Sequence, residues 1–123
     1  MNWLQKISNL VIPDKLYHAT YGANVDSILQ QGLIPRYTCV WEDCDYGVYL
    51  CSDKLVAMSF AETADSFSGE NEDIVIFEVD SNLLNKNLLE TDPHYKWEHN
   101  PQGFSSWIYK DVIPPAALRR VRP

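Results

Sequence analysis

The chain has 123 residues, a length that predicts one domain over 1–123 with a single core. Its 46% hydrophobic and 22% charged residues exclude a disordered chain, and no run approaches the ~20 apolar residues of a membrane-spanning helix. The formal net charge of −7 speaks against broad nucleic-acid binding, which draws its affinity from Lys and Arg set against phosphates.

Charge is unevenly spread. Between Glu42 and Asp73 nine acids stand with one base, Lys54, whereas Arg119, Arg120 and Arg122 cluster near the end. An acidic middle repels nucleic acid and suits a basic protein surface, and it also serves as a solvated face that keeps a domain soluble. Residues 1–10 carry Lys6 among apolar residues and no small-residue cleavage site, unlike a signal peptide. Three cysteines, Cys39, Cys44 and Cys51, are an odd number, which with no export signal predicts free thiols and a cytoplasmic location.

In chain order, Trp3, Leu4, Ile7, Leu10 and Val11 fall at helical spacing, so a short amphipathic helix is expected before Pro13. Residues 15–19 read as a strand. Residues 23–31 read as a helix with Val25, Ile28 and Leu29 on one face, stopped by Gly32. Residues 35–46 lack periodicity and read as a loop. Residues 47–51 alternate, Val48 and Leu50 facing one way and Tyr49 and Cys51 the other. Ser52 is the expected N-cap of a helix over 53–63, with Asp53 in its first turn. A polar loop over 65–72 leads to the clearest strand, 74–79. Residues 83–89 fit neither period, and 90–104 are irregular. A strand over 107–112, a break at Ile113-Pro114-Pro115 and a short strand over 118–121 complete the chain. Strands and helices mix without β-α-β alternation, which indicates an α+β domain.

Familiar site motifs are absent: there is no glycine-rich phosphate loop and no G-x-S-x-G turn. The cysteine spacing is not that of a zinc site, and Asp92, His94, Glu98 and His99 form only a loose group in irregular sequence, so no metal is expected. Three segments make sense together. Leu16-Tyr17-His18-Ala19-Thr20 is a strand followed by a helix closing at Gly32-Leu33. Gly47-Val48-Tyr49-Leu50 is a strand followed at once by a helix. Trp107-Ile108-Tyr109 leads through Ile113-Pro114-Pro115 to Leu118-Arg119-Arg120-Val121.

This order resembles the ADP-ribosyltransferase superfamily, on the branch that includes diphtheria toxin and the poly(ADP-ribose) polymerases. The resemblance spans residues 16–121 and rests on the order of the segments, since each motif alone is weak. It implies an ADP-ribosyltransferase-like fold of two small packed antiparallel or mixed sheets with two or three short helices. It also implies NAD as substrate and mono-ADP-ribosyl transfer to a macromolecule, for which the acidic middle favours a protein. Tyr49 and Phe60, eleven residues apart, would flank the nicotinamide ring, where offset aromatic contacts are worth about 0.5–1.5 kcal/mol beyond burial. His18 would hydrogen-bond a ribose hydroxyl, and backbone groups at Ala19 would hold the carboxamide. Ala19 replaces the family's usual glycine, and Thr20 keeps its hydroxyl. Gly47 belongs to the tyrosine motif, and Arg36 would reach the pyrophosphate.

The sequence departs from the pattern at one place. Where the family carries a catalytic glutamate this chain has Ser106, just before Trp107-Ile108-Tyr109. The glutamate holds the reacting ribose and stabilises its oxocarbenium-like transition state; losing such a group costs on the order of 3–4 kcal/mol. Either Glu98, or Glu90, supplies the charge from the preceding segment, or the chain is a degenerate module that binds NAD, ADP-ribose or a protein partner. An RNA 2′-phosphotransferase, a relative that consumes NAD, expects a second histidine in place of Tyr49 and phosphate-binding arginines, against both the tyrosine and the net charge.

Overall fold

The computed structural model describes residues 12–35, 46–64, 73–91 and 106–122, without the side chains of 60 and 62–64. The helix expected before Pro13, the loop over 65–72, residues 36–45 of the loop expected over 35–46 and residues 92–104 of the stretch expected to be irregular over 90–104 lie outside the described residues.

Strand β1 is Lys15–Tyr21, two residues longer than its pattern predicts, and a 3-10 turn, Gly22–Asn24, leads into helix α1, Val25–Gln31. Strand β2, Val48–Cys51, is followed directly by helix α2, Lys54–Ala64, and then by β3, Ile74–Asp80. The ambiguous stretch resolves into 3-10 turns at Ser81–Leu83 and Lys86–Leu88 and a three-residue strand β4, Leu89–Thr91. Strand β5 is Ser106–Tyr109, a 3-10 turn covers Pro115–Ala117, and β6 is Leu118–Val121. Among the described residues no helix is long and apolar enough to cross a membrane.

The six strands form one sheet in the order β4-β5-β2-β1-β3-β6, every pair antiparallel. The fold is therefore α+β, but the expectation of two packed sheets is corrected. The sheet is nonetheless uneven: β1 pairs with β3 along all seven residues and with β2 at one pair, Tyr17 with Cys51. Three strands lie on each side of that junction, so the two halves of the one sheet are joined there by a single bridge.

Alternation along the strands sorts the side chains into two faces. Leu16, Val48, Leu50, Val75, Phe77, Val79, Trp107 and Tyr109 share a core with Val25 and Ile28 of α1 and with Leu33, Ile113 and Ala117. Leu29, expected beside them, is 54% exposed. It lies about 100° round the helix from Ile28, and a two-turn helix touches the core only along the narrow Val25–Ile28 strip. Helix α2 covers the opposite face through buried Ala57 and Ala61, and the Tyr21 hydroxyl donates to the Ala61 carbonyl at 3.4 Å.

The cap of α2 is also corrected. Asp53 Oδ1 accepts from the amides of Leu55 and Val56 at 2.9 and 3.2 Å, so Asp53, rather than Ser52, satisfies the free donors of the first turn. At the end of α1, Gly32 adopts φ of 82°, and a Cβ there would collide with the Ile113 carbonyl oxygen. That close approach allows Leu33 and Ile113 to exchange two backbone hydrogen bonds of 2.9 Å, tying α1 to the segment before β6.

Candidate functional site

The histidine strand, the tyrosine strand and the Trp107-Ile108-Tyr109 strand, far apart in sequence, are adjacent as β1, β2 and β5, whereas the end of the third segment, 118–121, is β6 on the far edge beyond β3. The backbone directions at the junction follow from two hydrogen bonds. Gly22 N–H donates to Asp73 O at 3.1 Å, and Ser81 N–H to Asp14 O at 3.0 Å. Both pairs continue the β1–β3 register, so even-numbered residues of β1 turn their backbone groups to β3 and odd-numbered ones turn theirs to β2. Tyr17 meets Cys51 on that side. The next pair in register, Ala19 with Tyr49, does not form. The Ala19 amide and carbonyl therefore face the side on which β2 has left β1.

His18 fills part of this gap. Its Nδ1 lies 2.9 Å from the Tyr49 carbonyl oxygen, which an adjoining strand would otherwise engage. A carbonyl only accepts, so Nδ1 carries the proton, and in the neutral ring Nε2 is left as an acceptor. Burial lowers the His18 pKa below 6.5 and outweighs the opposite pull of the Tyr49 hydrogen bond, which keeps the ring neutral at neutral pH. Among the described residues Nε2 has no hydrogen-bond partner.

Thr20 is buried, and its Oγ1 accepts from Asn24 Nδ2 at 2.9 Å while keeping its own proton to donate. Gly47 has a packing reason to be glycine: a Cβ would collide with Ile108 Cγ2 and stand 2.9 Å from the Tyr109 oxygen, at φ of 153°. Half-buried Tyr49 alternates with core residues Val48 and Leu50, which places it on the face that α2 covers. Phe60 lies on α2, with its side chain outside the description, as are Arg36 and Glu98.

Ser106 begins β5 and is 4% exposed. It stands opposite Cys51, which stands opposite Tyr17, which stands opposite Glu78, a row crossing four strands on the Tyr49 face. Glu90 also belongs to that face, since β4 sets it opposite Ile108 and β5 sets Ile108 opposite Tyr49. Its side chain is 60% exposed and lies 3.7 Å from Lys110 Nζ, which donates to the Tyr46 carbonyl at 2.9 Å. Glu90 and Lys110 thus brace the chain just before Gly47.

Sequence reasoning did not single out Glu78. Its carboxylate accepts from Arg119 at 3.0 Å and lies 4.0 Å from Lys15, while burial and this carboxylate raise the Tyr17 pKa above 10.0. The available signal was the Glu-Val-Asp ending of β3, where two acids share the face of an otherwise apolar strand. A cavity of about 260 Å³ opens beside them, lined by Lys15, Glu78, Asp80 and residues 116–119.

No protein-family model and no curated protein matches the sequence. The loose group Asp92, His94, Glu98 and His99 lies outside the described residues, among which no cluster of three or more His, Cys, Asp or Glu stands ready for a metal.

Proposed function

We propose that this chain is an NAD-dependent mono-ADP-ribosyltransferase with an ADP-ribosyltransferase-like fold and a protein acceptor. The observation that carries the reading is the meeting of the histidine, tyrosine and late strands side by side, with His18 Nδ1 bonded to Tyr49 O across the β1–β2 junction. The gap beyond Tyr17 and Cys51 suits a primary carboxamide, because the Ala19 backbone turns one donor and one acceptor toward it. In this reading His18 Nε2 accepts a ribose hydroxyl, and Tyr49 flanks the nicotinamide ring with Phe60. Nicotinamide leaves with the electrons of the glycosidic bond, and a protein nucleophile attacks the oxocarbenium-like carbon and gives up its proton.

A carboxylate at the reacting ribose completes the mechanism, and Glu98 and Glu90 are the candidates. Labelled NAD incubated with the protein and cell lysate should give a labelled protein that His18→Ala does not make. Equal silence of both across lysates counts against transfer. Glu98→Gln and Glu90→Gln identify the acid, the correct one lowering turnover about 10²–10³-fold with NAD affinity little changed.

One observation favours a second reading, a degenerate module that binds NAD or ADP-ribose without transfer. Ser106 is neutral and buried in strand pairing at the position of the family's glutamate. Calorimetry showing NAD binding with no nicotinamide release, in wild type and in both glutamate variants, selects this reading.

A further inference from the structure

We infer that the outer edge of β6 takes up a short acidic peptide segment as a seventh, antiparallel strand. This edge lies apart from the proposed NAD site, since β3 stands between β6 and β1.

Backbone directions set the docking edge. The hydrogen bonds from Gly22 to Asp73 and from Ser81 to Asp14 turn odd-numbered residues of β3 toward β1 and even-numbered ones toward β6. Glu78 and Ile76 stand opposite Arg119 and Val121, so those two residues of β6 bond to β3. Leu118 and Arg120 turn the other way, past the edge of the sheet. The Leu118 N–H is taken by the Pro115 carbonyl. The Leu118 carbonyl and both backbone groups of Arg120 have no partner among the described residues. An acceptor, a donor and an acceptor in line are what an added strand pairs with.

The side chains select the occupant. Arg119, Arg120 and Arg122 are all exposed, in a chain whose net charge is −7. Arg119 gives one N–H to Glu78 at 3.0 Å, and a guanidinium carries five. In antiparallel register, Glu-Val-Glu-Glu sets its acids opposite Arg122, Arg120 and Arg119 and its valine opposite half-buried Val121. A second copy fits poorly. Two β6 strands paired antiparallel about Arg119, Arg120 or Val121 place arginine opposite arginine, which is destabilising. Nucleic acid fits poorly too, because phosphates only accept and leave the Leu118 and Arg120 carbonyls unmet.

The probe is a capped peptide with Glu-Val-Glu-Glu at its centre, flanked by Thr and Ser, followed by fluorescence anisotropy. Its controls are the same peptide with Lys-Val-Lys-Lys, and the acidic peptide N-methylated at the residue opposite Arg120. The acidic peptide should bind saturably, and about tenfold or more above both controls, as lost charge pairs and a lost backbone bond require. Arg120→Glu, a change at an exposed side chain, should weaken it about tenfold. Amide exchange followed by NMR should show the Arg120 N–H exchanging fast in the free protein and slowing with peptide, while Arg119 stays slow throughout. Equal binding of acidic and basic peptides overturns the proposal. So does equal binding of the N-methylated peptide, which would mean charge attraction without a strand. Tighter binding of a thymidine oligonucleotide, or an Arg120 amide already protected in the free protein by its own chain or by a second copy, overturns it as well. NAD binding is measured separately, so each reading fails on its own.

Discussion

At the scale of single residues, His18 makes the structure sensitive to acid. Burial lowers its folded pKa below the 6.5 of an exposed histidine, so the unfolded chain binds the extra proton first as pH falls. This part of the stability is present in full above pH 6.5 and is lost progressively as pH drops toward the lower folded pKa, with a limiting slope of about 1.4 kcal/mol per pH unit. Denaturation midpoints between pH 7.5 and 5.5 should fall in wild type more steeply than in His18→Asn, which cannot titrate. Parallel curves would contradict the assignment. Gly47 provides a second test at this scale. Gly47→Ala sets a methyl against Ile108 at a positive φ and should cost about 2–4 kcal/mol in chemical denaturation. The glycine was legible in the sequence as part of a tyrosine motif. Its physical reason was not, because Ile108 lies sixty-one residues away and only the fold brings the two together.

At the scale of elements, the interior strands were the legible ones. Ile74–Asp80 and Val48–Cys51 announce themselves because each lies inside the sheet with one side chain set in the core. Leu89–Thr91 gave no such signal: it is a three-residue edge strand whose Glu90 and Thr91 are exposed, so no period-two pattern is required of it. Helix α2 was placed correctly after the tyrosine strand, but its cap was assigned one residue early, since Ser52 and Asp53 are both good caps and sequence alone does not rank neighbours. Asp53→Ala should therefore destabilise the protein by about 1 kcal/mol, with Ser52→Ala smaller, as measured by thermal unfolding. The reverse order would return the cap to Ser52.

At the scale of the whole molecule, one uneven sheet takes the place of two packed ones. Sequence order gave the companionship of the His18 and Tyr49 strands, but not the single pair, Tyr17 with Cys51, on which the two halves meet. Strand partners are chosen by long-range packing, and a ladder that stops after one pair leaves no mark in local periodicity. The same limit applies to Glu78, whose partners Lys15 and Arg119 come from opposite ends of the chain. The core on the α1 side carries the fold as a unit: Phe77, wholly buried in the middle of β3, should cost about 3–5 kcal/mol on truncation to Ala. The gap at the β1–β2 junction beside that core is the proposed NAD site, and calorimetry with NAD is its decisive measurement. Saturable binding at one site is expected in wild type, abolished or weakened at least tenfold in a His18→Ala protein whose circular dichroism is unchanged. Absence of NAD binding in wild type, or equal binding by the two proteins, contradicts it.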